Sequence, residues 1–135
     1  MQQPLPTAVA ALYVAGGGAL GSVLRYLLTL WLQPLSRGFP VSILIVNVVG
    51  SFAITSIGAA TMADARYPLS EGWRLALLVG VCGGFTTFSS FSLQTLDLLR
   101  AGFLGRAAAN VGLSLASCLG AAALGYLVGT RVAGT

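Results

Sequence analysis

The sequence has no histidine and no lysine. Seven arginines, two aspartates and one glutamate are its only charged residues, 7% of 135. Soluble domains carry about 25%. Without histidine, Ser89, Ser90 and Ser92 have no evident base, and a nucleophilic enzyme is not expected. The arginines are scattered and never form a run, which argues against a nucleic-acid-binding surface. The two cysteines, Cys82 and Cys118, both sit in apolar stretches. They have neither metal-ligand spacing nor the makings of a disulfide framework. No basic residue precedes the first apolar run, so a cleaved signal peptide is not expected. What remains is apolar. Hydrophobic types make up 56% of the chain, and the mean hydropathy is +0.90. A soluble domain of this length has too little interior to hide that surface. The expected fold class is therefore an all-α integral membrane protein.

The prolines mark its segments. Pro4, Pro6, Pro34, Pro40 and Pro68 all lie outside the long apolar runs, and most of the charges cluster near the same gaps. Four spans are expected, at about residues 8–32, 41–62, 73–99 and 107–130. A helix of ~22 residues is about 33 Å long, enough to cross the hydrocarbon layer. The connections are short, so residues 1–135 read as a single four-helix transmembrane domain.

Four crossings put both termini on one side. Arg66, Arg74 and Arg131 fall on that side, and Arg37, Arg100 and Arg106 on the other. The positive-inside rule is balanced at three against three. The N-terminal amine tips it one way, and Arg25, inside span one, tips it the other. Such a chain is suited to insertion in both orientations, which permits an antiparallel homodimer.

Polar side chains are costly in lipid, so their placement is informative. Asn47, Ser51 and Thr55 follow one helical face of span two. Asn110, Ser114 and Cys118 repeat the spacing in span four. Taken singly, the hydroxyls are ordinary interhelical hydrogen-bonding groups. As two matched stripes headed by asparagine, they read as a polar track along a permeation path. Span three carries Gly83-Gly84-Phe85-Thr86-Thr87-Phe88-Ser89-Ser90-Phe91-Ser92 near its middle. Two glycines followed by two β-branched residues are poor helix formers. A break here is expected, and the backbone groups it frees must be buried or line a cavity. The alternative is a flexed but continuous helix whose hydroxyls bond back to the preceding turn. Phe88 and Phe91 share a face, and their ring edges carry partial positive charge. Arg25 is the one basic residue well inside a span. Snorkelling or bonding to a neighbouring helix end is expected of it before direct ion binding.

These motifs resemble the Fluc (CrcB) family of fluoride channels. The resemblance covers nearly the whole chain: Gly16-Gly17-Gly18-Ala19-Leu20-Gly21 with Arg25-Tyr26, Val46-Asn47-Val48-Val49-Gly50-Ser51-Phe52, and the span-three motif above. It implies four transmembrane helices with a break in the third. It also implies a dual-topology antiparallel dimer with two fluoride pores in the bacterial inner membrane. A structural Na⁺ is implied at the dimer centre, on the backbone carbonyls of Gly83 and Thr86. Phe88 and Phe91 match the family's phenylalanine box, whose ring edges contact fluoride. Asn47 matches the asparagine that faces the pore and helps position the box. Asn110, Ser114 and Cys118 occupy the span-four track, with Ser51, Thr87 and Ser90 also expected along the pore. Arg25 matches an arginine near a vestibule. Three positions depart from the family pattern. Gln94 stands where a Glu is usual, Ser42-Ile43 where Gly-Thr is common, and Asn110 where Tyr is frequent. Some family members pair non-identical subunits, and Gln94 keeps that arrangement open.

Two other readings compete with passive fluoride export. One is a small four-span exporter driven by protons, although spans one and two contain no carboxylate to carry the proton. The other is a non-transporting assembly subunit whose polar residues only join helices.

Overall fold

The computed structural model describes residues 5–134; Pro4 and the N-terminal amine lie outside the described residues. Four helical stretches are long and apolar enough to cross a membrane: Thr7–Ser36, Val41–Ala60, Glu71–Arg100 and Leu104–Ala133. The first consists of α1 (Thr7–Leu32) and a closing 3-10 turn, Gln33–Ser36. The second is α2 (Val41–Ala60). The third begins with α3 (Glu71–Arg74), a π-helical stretch (Leu75–Cys82) and α4 (Gly83–Phe85). After Thr86 and Thr87 it resumes as α5 (Phe88–Arg100). The fourth is α6 (Leu104–Ala133).

The interior is built mainly of small residues. Gly17, Gly21, Gly80, Gly125 and Gly129 are buried, as are Ala59, Ala76 and Ala107. The bulkiest buried apolar side chains are Leu32, Ile43 and Val46. Leu12, Leu20, Leu27, Leu119 and Leu127 point outward. This inversion follows from the solvent. Lipid is as apolar as leucine, so burying large side chains gains little, and close backbone approach supplies the packing. Two seams show how close the approach is. A Cβ on Gly17 or Gly21 would collide with the backbone at Ala76 or Val81, which places α1 directly against the first arm of the third span. A Cβ on Gly125 or Gly129 would collide with the carbonyls of Phe52 or Ser56, which does the same for α6 on α2.

Several arginines serve helix ends and loops. Arg74 Nη1 donates to the Gly58 carbonyl at 3.1 Å and to Thr61 Oγ1 at 2.7 Å, closing the C-terminal end of α2. Arg106 Nη1 donates to the Gly38 carbonyl at 3.2 Å, with its guanidinium 4.6 Å from the centre of the Phe103 ring. Carbonyls at a helix C-terminus lack helical donors and carry partial negative charge, which a cation offsets. The Arg74→Met variant keeps the stem and removes both bonds. It is expected to lose about 1–3 kcal/mol and to unfold at lower temperature in detergent. An unchanged unfolding curve would refute the capping role.

Candidate ion-conduction site

The sequence around Gly83-Gly84 ends one helix and starts another. Thr86 (φ −79°, ψ 156°) and Thr87 (φ −153°, ψ 113°) are both extended. β-branched residues suit that conformation better than glycine-flanked helix. Two extended residues in mid-span strand backbone groups, and side chains from other positions take them up. Asn47 Nδ2 donates to the Thr87 carbonyl at 3.0 Å, and the Thr87 N–H donates to Asn47 Oδ1 at 2.8 Å. One carboxamide thus pairs both backbone groups of Thr87, as a neighbouring strand would. Thr87 Oγ1 accepts the Ser90 N–H at 3.1 Å and caps α5. It also lies 3.1 Å from both the Ser89 and Ser90 hydroxyls. Arg25 Nε donates to the Gly84 carbonyl at 3.1 Å, so it serves the C-terminal end of α4.

These bonds redirect donors. In a continuous helix the Thr87 N–H would serve the Gly83 carbonyl, and the Ser90 N–H the Thr86 carbonyl. Here the first goes to Asn47 and the second to Thr87 Oγ1. The carbonyls of Gly83 and Thr86 have therefore lost their helical donors.

A cavity of about 310 Å³ opens beside the extended pair. Asn47, Ser51 and Ile54 of α2 line one wall, and Thr86, Thr87, Phe88 and Phe91 another. Ser114, Leu115, Cys118 and Leu119 of α6 complete it. No charged side chain lines it. The Phe88 and Phe91 rings stand 5.3 Å apart, tilted by 46°. Phe88 is 76% exposed in the single chain. Among the described residues, the hydroxyls of Ser51 and Ser114 donate to no protein acceptor, and both residues line the cavity. The N-terminus of α5, the positive end of its dipole, starts at this wall.

Of the expected pore residues, Asn47, Ser51, Thr87, Phe88, Phe91 and Ser114 meet at this cavity. Ser90 and Asn110 are not in its lining. Ser90 belongs to the cap of α5, and Asn110 Nδ2 donates to Thr95 Oγ1 at 2.9 Å. Thr55 bonds back to its own helix, on the carbonyls of Ser51 and Phe52.

The sequence profile of the family described as "CrcB-like protein, Camphor Resistance (CrcB)" matches residues 12–126. The chain belongs to the CrcB family. A relative from Gluconobacter oxydans, named "Fluoride-specific ion channel FluC", is 53% identical over 117 residues, covering 86% of this chain and 81% of the relative. One of the same name from Methylobacterium radiotolerans is 50% identical over 112 residues, covering 83% and 78%. Another, from Thermus thermophilus, is 49% identical over 124 residues, covering 91% and 95%. With its four membrane-length helices, this CrcB-family chain is a multi-pass protein of a bacterial membrane.

A second and more polar cavity, of about 690 Å³, was not anticipated in this CrcB-family chain. It lies between the end of the first span and α5, with Thr29, Gln33, Arg37, Ser42 and Gln94 in its lining. Thr29 Oγ1 and Gln94 Oε1 are buried there without a hydrogen-bond partner among the described residues. Its one sequence signal is polar side chains clustered at a span end, a pattern that most membrane helices share. Arg25 lines neither cavity.

Proposed function

We propose that this chain is a passive, fluoride-selective channel that exports fluoride from the bacterial cytoplasm across the inner membrane. The observation that carries the reading is the uncharged cavity at the start of α5. Its lining brings together two unengaged hydroxyls, Ser51 and Ser114, and the Phe88 and Phe91 rings. Fluoride is small and strongly hydrated, so a path must replace water with donors. Hydroxyls, positive ring edges and the N-terminal end of α5 are such donors. None carries a full charge, which keeps binding weak enough for release. A passive exit suffices, because HF entering from acidic surroundings dissociates inside and drives fluoride outward.

The assembly we infer is an antiparallel, dual-topology homodimer with two pores. The balanced arginines support it, as does a Phe88 ring left 76% exposed by its own chain. A paired, non-identical subunit is the variant form of the same assembly. A structural Na⁺ at the dimer centre fits the donor set. Carbonyls suit this hard cation, and those of Gly83 and Thr86 have had their helical donors drawn away. When bound, the ion supplies a fixed positive charge and ties together the two chains. Gly83 and Thr86 would hold it, while Asn47 and Arg25 keep the adjoining backbone in place.

The test is anion efflux from liposomes holding the purified protein, fluoride against chloride, at neutral pH. The expected result is loss of fluoride with chloride retained. Loss of both ions, or proton-coupled movement of an organic cation, would overturn the reading. If neither anion moves, the Gln94→Glu variant decides. Restored fluoride efflux would trace the defect to the missing carboxylate. Continued silence, also after co-reconstitution with a homologous subunit, would leave a non-transporting assembly subunit.

A further inference from the structure

The chain has only two asparagines, Asn47 and Asn110. Both are tied to α5, from different spans and at different turns. Asn47 pairs the backbone of Thr87 at the N-terminus of α5. Asn110, only 2% exposed on α6, donates from Nδ2 to Thr95 Oγ1 at 2.9 Å. Thr95 Oγ1 in turn donates to the Phe91 carbonyl at 2.8 Å. Thr87, Phe91 and Thr95 are four residues apart, so they form one stripe of α5. Phe91 sits midway, one turn from each tether.

The helix needs such tethers. α5 has no buried residue, whereas α2 and α6 each bury several. Apolar packing within the chain therefore leaves α5 weakly held. Its position depends on the hydrogen bonds at its two anchored turns. Asn110 precedes Ser114 by one turn on α6, yet only Ser114 lines the cavity. We propose that Asn110 is a positioning residue: through Thr95 it fixes the turn of α5 that carries Phe91, and it does not line the ion path. Asn47 and Asn110 together act as a two-point clamp on the ring-bearing helix. The importance of that clamp for conduction rests on the proposed function. The clamp itself is a statement about Phe91 and is tested separately.

The experiment places 4-fluorophenylalanine at position 91 and follows its ¹⁹F resonance in the reconstituted full chain, alongside fluoride efflux. Four proteins are compared: the unaltered chain, Asn110→Ala, Thr95→Val and the double variant. Thr95→Val is nearly isosteric and breaks the relay without touching α6. The two single variants are expected to shift and broaden the resonance alike, the double variant to go no further, and Thr95→Ser to restore the signal. Ser117→Ala, whose hydroxyl bonds back to the Leu113 carbonyl of its own helix, is expected to leave it in place. Efflux in each single variant is expected to fall about tenfold, the size of one net hydrogen bond, with no further fall in the double. An unmoved Phe91 resonance in Asn110→Ala would overturn the proposal, and so would additive losses in the double variant. If the unaltered protein passes no fluoride, the efflux comparison falls to the Gln94→Glu background, and the resonance still decides whether the clamp exists.

Discussion

Fluoride efflux is expected to fall at least about 100-fold when Phe88 and Phe91 are both replaced by isoleucine. The substitution keeps two apolar side chains at the wall of the cavity and removes two aromatic ring edges. Each edge-on contact is worth roughly one factor of ten. Stability should change little. Phe88 is mostly exposed, Phe91 is half-buried, and neither ring contributes a hydrogen bond. The hydroxyls of Ser51 and Ser114 and the cap on α5 are left as they are. The measurement is fluoride efflux per reconstituted protein, with the thermal unfolding of each variant recorded beside it. Unimpaired efflux from a folded double variant would remove the rings from the mechanism. An equal loss of efflux and of stability would make them packing residues only.

The second large effect is expected at Asn47. Its carboxamide satisfies both the N–H and the carbonyl of Thr87, at 2.8 and 3.0 Å. Alanine would leave both backbone groups unpaired inside the membrane. A buried group without a partner costs about 1–3 kcal/mol, so the pair amounts to roughly 2–6 kcal/mol. Asn47→Ala is therefore expected to lower the unfolding temperature markedly and to lose fluoride efflux with it. Asn47→Asp is expected to be no milder. A carboxylate still accepts from the Thr87 N–H, but its second oxygen faces the Thr87 carbonyl with nothing to donate, and its charge is costly to bury in the membrane. Efflux should stay low as well, because the new negative charge lies on the wall of the anion path. An aspartate variant as active as the unaltered protein would show that the ion does not pass this wall.

Much of this architecture is legible without coordinates. The scarcity of charge and the spacing of prolines point to lipid as the solvent and to four crossings. The four-residue spacing of Gly17/Gly21 and of Gly125/Gly129 is visible in the sequence, but the partners their backbones touch are given only by the structure. The run from Gly83 to Ser92 contains the two extended threonines, where helix propensity is locally lowest. Other features were not readable. The polar cavity with Thr29 and Gln94 draws its lining from residues 29–42 and from Gln94, more than fifty positions further along the chain. No local pattern records that meeting.

Asparagine makes the same division sharply. Asn47 and Ser51 share a stripe on α2 and both reach the first cavity, whereas Asn110 and Ser114 share a stripe on α6 and diverge. An i, i+4 spacing states which side chains share a face. It does not state which neighbour that face meets at each turn. Arg25 is a similar case: its position within an apolar run raised several roles, and the approach of α4 selected the Gly84 carbonyl. By itself, then, the sequence determined the solvent, the number of crossings and the weak point of the third span. These follow from transfer free energy and local backbone preference, which act residue by residue. Only the tertiary structure decided which polar groups face a cavity and which are consumed in holding α5. That choice depends on the crossing of helices, where one stripe meets open space at one turn and another helix at the next.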